Sequence, residues 1–396
     1  MIRSVGIVWL VMATLSPNTA CLAQDMPEPG IIEEAKPLVQ IAILLDTSGS
    51  MSGLIDQARA ELWSIVNEFI LAERGGRQPE IQVALHEYGN SGLPAETGWI
   101  RQIVPLTTDL DRISEELFAL KTNGGEEYCG WVIKEATENL SWSDSPDDLK
   151  VIFIAGNEPF TQGPVDYRQT CKAAVAGGIL VNTIHCGGEQ DGLNGMWKDG
   201  AVIADGRYLN IDHNRHVVHI PAPQDAQIAE LGARLNATYI PYGPQGEVAQ
   251  ERQTAQDNNA SQASPQAVVQ RAVTKSSRNY LNAGWDLVDA VRAKAVDLDK
   301  IEDTNLPADM QSMSPEQRVA YVNARASERA ELQTRIQQLN ELRSKFIAEE
   351  TAKQRPADTL GSAVKQAIRE QARQKNYTFK PASSPSDAGD SGTENR

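Results

Sequence analysis

The sequence predicts an α/β fold, a doubly wound and mostly parallel sheet followed by an α-helical hairpin or bundle, and three observations predict it. Apolar, β-rich runs alternate with helical spacings from residue 39 to residue 185. The first run, residues 39–45, breaks abruptly into Asp46-Thr47-Ser48-Gly49-Ser50, with an amphipathic stripe directly behind it. Beyond residue 268 the apolar spacing is helical only.

Taken in order, residues 39–45 read as a strand, and Leu54, Ala58, Leu62, Ile65, Val66, Phe69 and Ile70 recur at helical spacing, a stripe to lay against a sheet. Residues 81–88 and 99–106 read as strands, and 109–120 as a helix started by Thr108. A helix over 127–140 precedes a central strand at 149–155. Residues 164–176 form a helix stopped by Gly177-Gly178, and 179–185 a further strand. Alternation of this kind implies parallel strands covered by helices on both faces, with ligands bound beyond the strands' carboxyl ends. Residues 225–235 carry Ile228, Leu231 and Leu235 on one helical face, and the aromatic and β-branched residues of 237–243 suit a final strand.

Asp46, Ser48 and Ser50 set one carboxylate and two hydroxyls at alternate positions at a strand's end. A hard dication such as Mg²⁺ takes small oxygen ligands in octahedral array and keeps several waters, so these three make an open half-shell. The blander reading, that they only cap the next helix, is disfavoured by the strand before them, the glycine between them and the helix after them.

With those features the segment resembles the metal-ion-dependent adhesion site of von Willebrand factor A domains, and the resemblance extends over residues 37–245. It implies a Rossmann-like fold, Mg²⁺ (or Mn²⁺ or Ca²⁺) as cofactor, and a protein partner whose acidic side chain completes the metal's shell. Family members supply further ligands from two loops. The second usually offers a Thr after a Gly pair; here Glu126 falls at that position, with Thr122 as the alternative. The third usually carries an Asp in a Thr-Asp-Gly turn; here Gly156 stands in its place, leaving Asn157 or Glu158 as substitutes. The resemblance also implies that the last helix packs on the sheet beside the first. An enzyme is disfavoured, because no nucleophile and base pair with fitting context is present and Ser48 is better used as a ligand.

A formal charge of −16 over 396 residues argues against a nucleic-acid partner, which would call for a basic patch. Arg3, an apolar stretch over 5–15 and the small residues ending at Ala23 have the layout of a secretory signal peptide, which predicts a periplasmic or secreted protein. Lipoprotein processing at Cys21 is the lesser alternative, since Asn18-Thr19-Ala20 lacks the Leu such signals carry. No later run is long enough for a transmembrane anchor. In an oxidising compartment Cys129, Cys171 and Cys186 can form one disulfide, with a thiol left over. Cys171, on a helix face with Tyr167 and Ala174, reads as a small buried hydrophobe. His213, His216 and His219 have superficial metal spacing, but on an extended segment His216 and His219 diverge, so a polar edge strand is expected.

Residues 246–267 are rich in Gln, Ala, Asn and Ser with almost no large apolar side chain, and read as a flexible linker. Helical spacing returns over 268–292, with Asn282-Ala283-Gly284 as its weak point. Ser314-Pro315-Glu316-Gln317 is a strong helix start, and the helix can run to Thr351. Its narrow apolar seam needs cover from the 268–292 helix, from a helix over 360–375, or from a second copy as a coiled coil. The seam slips out of heptad register, which favours the intramolecular arrangement over an oligomer. A signal peptide (1–23), a sheet domain (37–245), a linker (246–267), a helical region (268–380) and a disordered tail (381–396) complete the expected organisation.

Overall fold

The computed structural model describes residues 36–69, 72–211, 220–353 and 360–379. The expected signal peptide, the lipidation alternative at Cys21, the histidine cluster and the tail lie outside the described residues. In chain order the first half forms β1 (Leu38–Asp46), α1 (Ser52–Glu68), a short β2 (Ala72–Glu73), β3 (Glu80–Tyr88), β4 (Ile100–Thr107), α2 (Leu110–Ala119), α3 (Cys129–Asn139), β5 (Leu149–Gly156), α4 (Tyr167–Ala176), β6 (Ile179–Cys186), α5 (Glu189–Asn194), α6 (Trp197–Ile203) and β7 (Tyr208–Ile211). The second half forms α7 (Asp225–Asn236), α8 (Gly246–Ala263), α9 (Pro265–Lys275), α10 (Leu287–Arg292), α11 (Ala308–Gln311), α12 (Pro315–Lys353), α13 (Leu360–Gln374) and β8 (Thr378–Phe379).

The main sheet has the order β4-β3-β1-β5-β6-β7. Every pair in it is parallel except β3 with β4. The chain winds outward from β1 in one direction and then, from β5, in the other. The order therefore reverses between β1 and β5, and the crevice at that reversal opens beside the carboxyl ends Asp46 and Gly156. Both sheet faces are covered, which is why the central strands are apolar throughout. One face buries Ile41, Leu45, Val83, Leu85, Val151 and Phe153 against residues that include Ile55, Trp63 and Val66 of α1 and Phe69 just beyond its end. The other buries Ala42, Leu44, Ala84, Ile152 and Ile154 against α3, α4 and α6, with Val132, Cys171 and Trp197 among the contributors.

Five expectations are corrected. Residues 246–263 are not a linker but the helix α8. Its buried face carries Gln253, Gln256 and Ala260, and polar bonds hold it where an apolar stripe would normally be required. The Ser114 hydroxyl donates to Gln256 Oε1 at 2.9 Å, Gln253 Nε2 donates to the Tyr280 hydroxyl at 3.1 Å, and Lys275 Nζ pairs with Asp257 at 2.8 Å. Ala, Gln, Glu and Arg are all good helix formers, so low hydrophobicity did not mean low order.

Residues 237–243 do not add a strand to the sheet. Their backbone groups are taken by the segment before α10: Ile240 N–H donates to Asp286 Oδ1 (2.8 Å), Leu287 N–H to the Ile240 carbonyl (2.8 Å), and Tyr242 N–H to the Trp285 carbonyl (2.8 Å). The edge strand is β7, a four-residue segment beside β6. Nor does α7 lie beside α1 in the main core; Ile228, Leu231 and Leu235 pack with α9 and α12 in a separate cluster.

The sheet domain and the helical region are also not separate bodies. Val364, Ile368 and Ala372 of α13, with Tyr377, join the core under α1, and β8 pairs antiparallel with β2. The described residues from Lys36 onward belong to one compact unit. The seam of α12 is covered within the chain, by α7 and α9 around Leu332, Ile336 and Leu339 and by the α10 region around Val322. At its start the predicted cap is complete: Gln317 N–H donates to Ser314 Oγ and Ser314 N–H to Gln317 Oε1.

The expected disulfide is not formed. Cys129, Cys171 and Cys186 are free and buried. Cys186 packs on one face of the sheet while Cys129 and Cys171 pack on the other, each as a small hydrophobe. Burial raises all three thiols above the usual range. Among the described residues no helix is long and apolar enough to cross a membrane.

Candidate metal centre

The turn after β1 is built by its own side chains. Asp46 Oδ1 accepts the Ser48 N–H at 2.7 Å, and Thr47 N–H donates to the Tyr88 carbonyl at 2.8 Å, which tethers the turn to β3. A single 3-10 turn at Gly49–Met51 then leads into α1. Ser48 Oγ and Ser50 Oγ end 3.2 Å apart, and the Asn157 amide meets Ser50 Oγ through both its nitrogen (3.0 Å) and its oxygen (3.3 Å). Asp46, Ser48, Ser50 and Asn157, named from sequence, therefore converge.

The second loop departs from expectation. Glu126 is exposed, whereas its neighbour Glu127 is buried. Gly89, at φ +79°, shows where Glu127 goes: a Cβ there would lie 2.7 Å from Glu127 Cγ and 2.8 Å from Asp46 Oδ1, so both acidic side chains press on the same bare Cα. Ser48 stands close enough to Glu127 to work against the rise of its pKa. Thr122 is half-buried, and among the described residues no hydrogen bond joins it to the cluster. The loop is tied to the first by Asn123 N–H donating to the Thr47 carbonyl (2.9 Å), and Glu127 is held by its N–H to Gln162 Oε1 (2.8 Å). The sequence signal for Glu127 was thin: two consecutive carboxylates before a helix, of which only one can face inward.

In the third loop Gly156 ends β5. A Cβ on it would lie 2.5 Å from the Tyr88 hydroxyl, 3.1 Å from Trp197 and 3.2 Å from the Asp46 Cβ. The space that an acidic residue would need is thus filled by Tyr88, whose hydroxyl donates to the Ala155 carbonyl at 2.9 Å. Beyond Gly156 the loop is pinned from below, by Trp197 Nε1 donating to the Glu158 carbonyl (2.8 Å) and by His185 Nε2 at 3.3 Å from the Asn157 carbonyl. The Glu158 side chain is exposed.

Electrostatics set these groups apart from ordinary surface acids. Burial, reinforced by Glu158 and opposed by hydrogen bonds from Ser48 and Asn157, pushes the Asp46 carboxyl up to about 7. Burial, then Asp46 and Glu158, pushes Glu127 up to about 8. Asp46 Oδ2 is buried without a hydrogen-bond partner among the described residues. No described Lys or Arg forms an ion pair with Asp46 or Glu127. A buried carboxylate left in this state is costly, and a cation would relieve it. The available donors are carboxylate, hydroxyl and amide oxygens, the set a hard dication takes. Among the described residues no three His, Cys, Asp or Glu side chains come together as a metal cage, so any cation here depends on the serine hydroxyls.

The match to a known family decides what this crevice belongs to: the model of the von Willebrand factor type A domain covers residues 40–205. Residues 40–205 are a von Willebrand factor type A domain. Among solved structures the chain is similar to BatB from Bacteroides thetaiotaomicron (18% identity, 44% of this chain and 90% of that one, TM-score 0.34). It is also similar to the SpRpn10 VWA domain (15% identity, 46% of this chain and 100% of that one, TM-score 0.34). A third similar chain is the pilus adhesin SpaC from Lactobacillus rhamnosus GG (15% identity, 46% of this chain and 28% of that one, TM-score 0.33). No curated protein matches the chain. VWA domains are generally interaction modules rather than enzymes.

Proposed function

We propose that this chain is an exported, non-enzymatic protein-binding module that holds a divalent cation at the end of β1 and offers it to an acidic side chain of a protein partner. The observation that carries the reading is the buried Asp46 carboxylate with its unpartnered Oδ2, ringed by the Ser48 and Ser50 hydroxyls, Asn157 and Glu127 at the sheet's reversal point. Mg²⁺, Mn²⁺ or Ca²⁺ bound there would supply a Lewis-acidic position for a carboxylate. Asp46 and Glu127 provide negative charge, Ser48 and Ser50 provide neutral oxygens, and Asn157 steers Ser50. Glu126, on the exposed side of the loop, takes no part in the shell. Export rests on the signal-peptide layout of residues 1–23.

The second reading is a scaffold of the cell envelope that binds no metal and works through its C-terminal helices. The filled space at Gly156 favours it, because the family's third-loop acid has no room there. Calorimetric titration of Mn²⁺ and Mg²⁺ into the full chain separates the two. One site is expected in the wild type and none in Asp46→Ala, with circular dichroism confirming the fold. Glu127→Gln should weaken affinity by about 10- to 100-fold, the cost of losing a supporting ligand, while Glu126→Gln should leave it unchanged. Absence of binding in the wild type would remove the metal reading. Where the metal binds, a Glu-containing peptide should be retained without chelator and released with it.

A further inference from the structure

A second pocket lies on the α3 side of the sheet, away from the crevice between β1 and β5. It has a volume of about 330 Å³, set between the β3–β4 edge, the turn at Ala95–Thr97 and α3, and its walls include His86, Glu96, Gln102, Trp131, Glu135 and Asn139. The edge is irregular at this point: the β3–β4 register shifts between Leu85 and His86, where β4 accommodates an extra residue before His86 pairs with Gln102. Such bulges re-aim side chains at functional edges.

His86 is the telling residue. It is only 1% exposed, and its Nδ1 is buried without a hydrogen-bond partner among the described residues. Buried polar atoms are nearly always paired, so an unpaired imidazole nitrogen on a residue that lines the pocket invites a group that enters the pocket. Burial lowers its pKa to about 4, which keeps the ring neutral and leaves one nitrogen able to accept a hydrogen bond.

The walls define what that group is. Glu135 is oriented by Trp131 Nε1, which donates to its Oε1 at 3.2 Å, and by the Asn139 amide. Glu96 stands exposed at the rim. None of the described lining residues is a Lys or Arg. Trp131 is braced by Tyr128 (ring centroids 6.3 Å apart, planes at 6°) and by the turn at Gly98, where a Cβ would lie 2.7 Å from the indole. Two carboxylates, a neutral imidazole and an indole, with no cation among them, form a site complementary to positive charge.

We infer that this pocket binds a small organic cation, an alkylguanidinium or alkylammonium group, with Glu135 and Glu96 facing the charge and His86 accepting a hydrogen bond at the floor. The group is either a free amine or the side chain of an Arg or Lys presented by another protein.

Calorimetry on the full chain tests this with n-butylguanidinium, n-butylammonium and the uncharged n-butanol. The cations should bind at least about tenfold more tightly than the alcohol, as charge-assisted pairing requires. His86→Phe, which keeps the volume and removes the nitrogens, and Glu135→Gln should each weaken cation binding at least about tenfold. Glu96→Gln changes an exposed rim residue and should weaken it to a smaller degree without touching the fold. Asp46→Ala should leave it unchanged, which keeps this site's test separate from that of the metal centre. A Gly-Arg-Gly peptide that binds as well as butylguanidinium would support a protein side chain as the source, and its exclusion a free amine. Equal binding of cation and alcohol, cation binding unchanged in Glu96→Gln and Glu135→Gln, or no binding of either cation would overturn the inference.

Discussion

Replacing Gly156 by Ala tests whether Tyr88 really occupies the place of the family's third-loop acid. The new Cβ would sit 2.5 Å from the Tyr88 hydroxyl, with Trp197 at 3.1 Å and Asp46 at 3.2 Å. Tyr88 and Trp197 are 0% and 1% exposed, so neither can swing away. Overpacking of this kind costs about 1–3 kcal/mol. Displacing the Tyr88 hydroxyl from the Ala155 carbonyl adds about 1 kcal/mol, for a total of about 2–4 kcal/mol. Tyr88→Phe alone forfeits the same bond and should cost about 1 kcal/mol. In the double variant the 2.5 Å contact has no atom on the tyrosine side. Gly156→Ala should then cost about 1–2 kcal/mol less than it does in the wild type, a coupling readily measured between touching residues. Urea denaturation of the four proteins in a double-mutant cycle, with chelator present throughout, provides the measurement. Additivity of the two single changes within about 0.5 kcal/mol, or a Gly156→Ala cost below that of Tyr88→Phe, would refute the argument.

Three further outcomes follow from the packing. Ile368 is 1% exposed in the sheet domain's core, so Ile368→Ala should destabilise the whole unit by about 2–5 kcal/mol, in a single urea transition rather than a local loss of α13. Arg329 Nη1 pairs with Asp286 Oδ2 at 2.6 Å and Asp289 Oδ1 at 3.0 Å, its Nη2 donates to the Thr238 carbonyl at 2.7 Å, and its guanidinium lies 4.1 Å from the Tyr239 ring centroid. Arg329→Met strands two buried carboxylates and should cost about 3–5 kcal/mol, which a denaturant midpoint would report. His86 has a folded-state pKa lowered by burial to about 4 from 6.5, so its contribution is fully present above pH 6.5 and lost as the pH falls toward 4. Between pH 7 and pH 5 this amounts to about 2 kcal/mol, and His86→Phe should flatten the urea stability profile by that amount.

The parts of the site that were legible in sequence are those carried by one strand and one turn. Asp46, Ser48 and Ser50 sit within five residues of chain, so their convergence follows from local geometry. Asn157 was accessible because Gly156 ends a recognisable strand. Glu127 was not, because the choice between two adjacent acids depends on where α3 begins and on the bare Cα of Gly89 in another strand. The reason Gly156 replaces an acid was equally hidden, since it lies in the hydroxyl of Tyr88, a residue 68 positions earlier in chain and one strand beyond β1.

By itself the sequence determined the alternation of strands and helices, the oxygen-rich turn after β1 and the capped start of α12, since hydrophobic period, turn chemistry and caps are read within a few residues. Tertiary structure alone decided that α8 is ordered, because its buried face is polar and its partners Ser114, Tyr280 and Lys275 are distant in the chain. It also decided that α13 returns to the sheet and that α7 leaves it. Both outcomes depend on which apolar faces compete for the same covering surface, and that competition is settled only when the whole chain has packed.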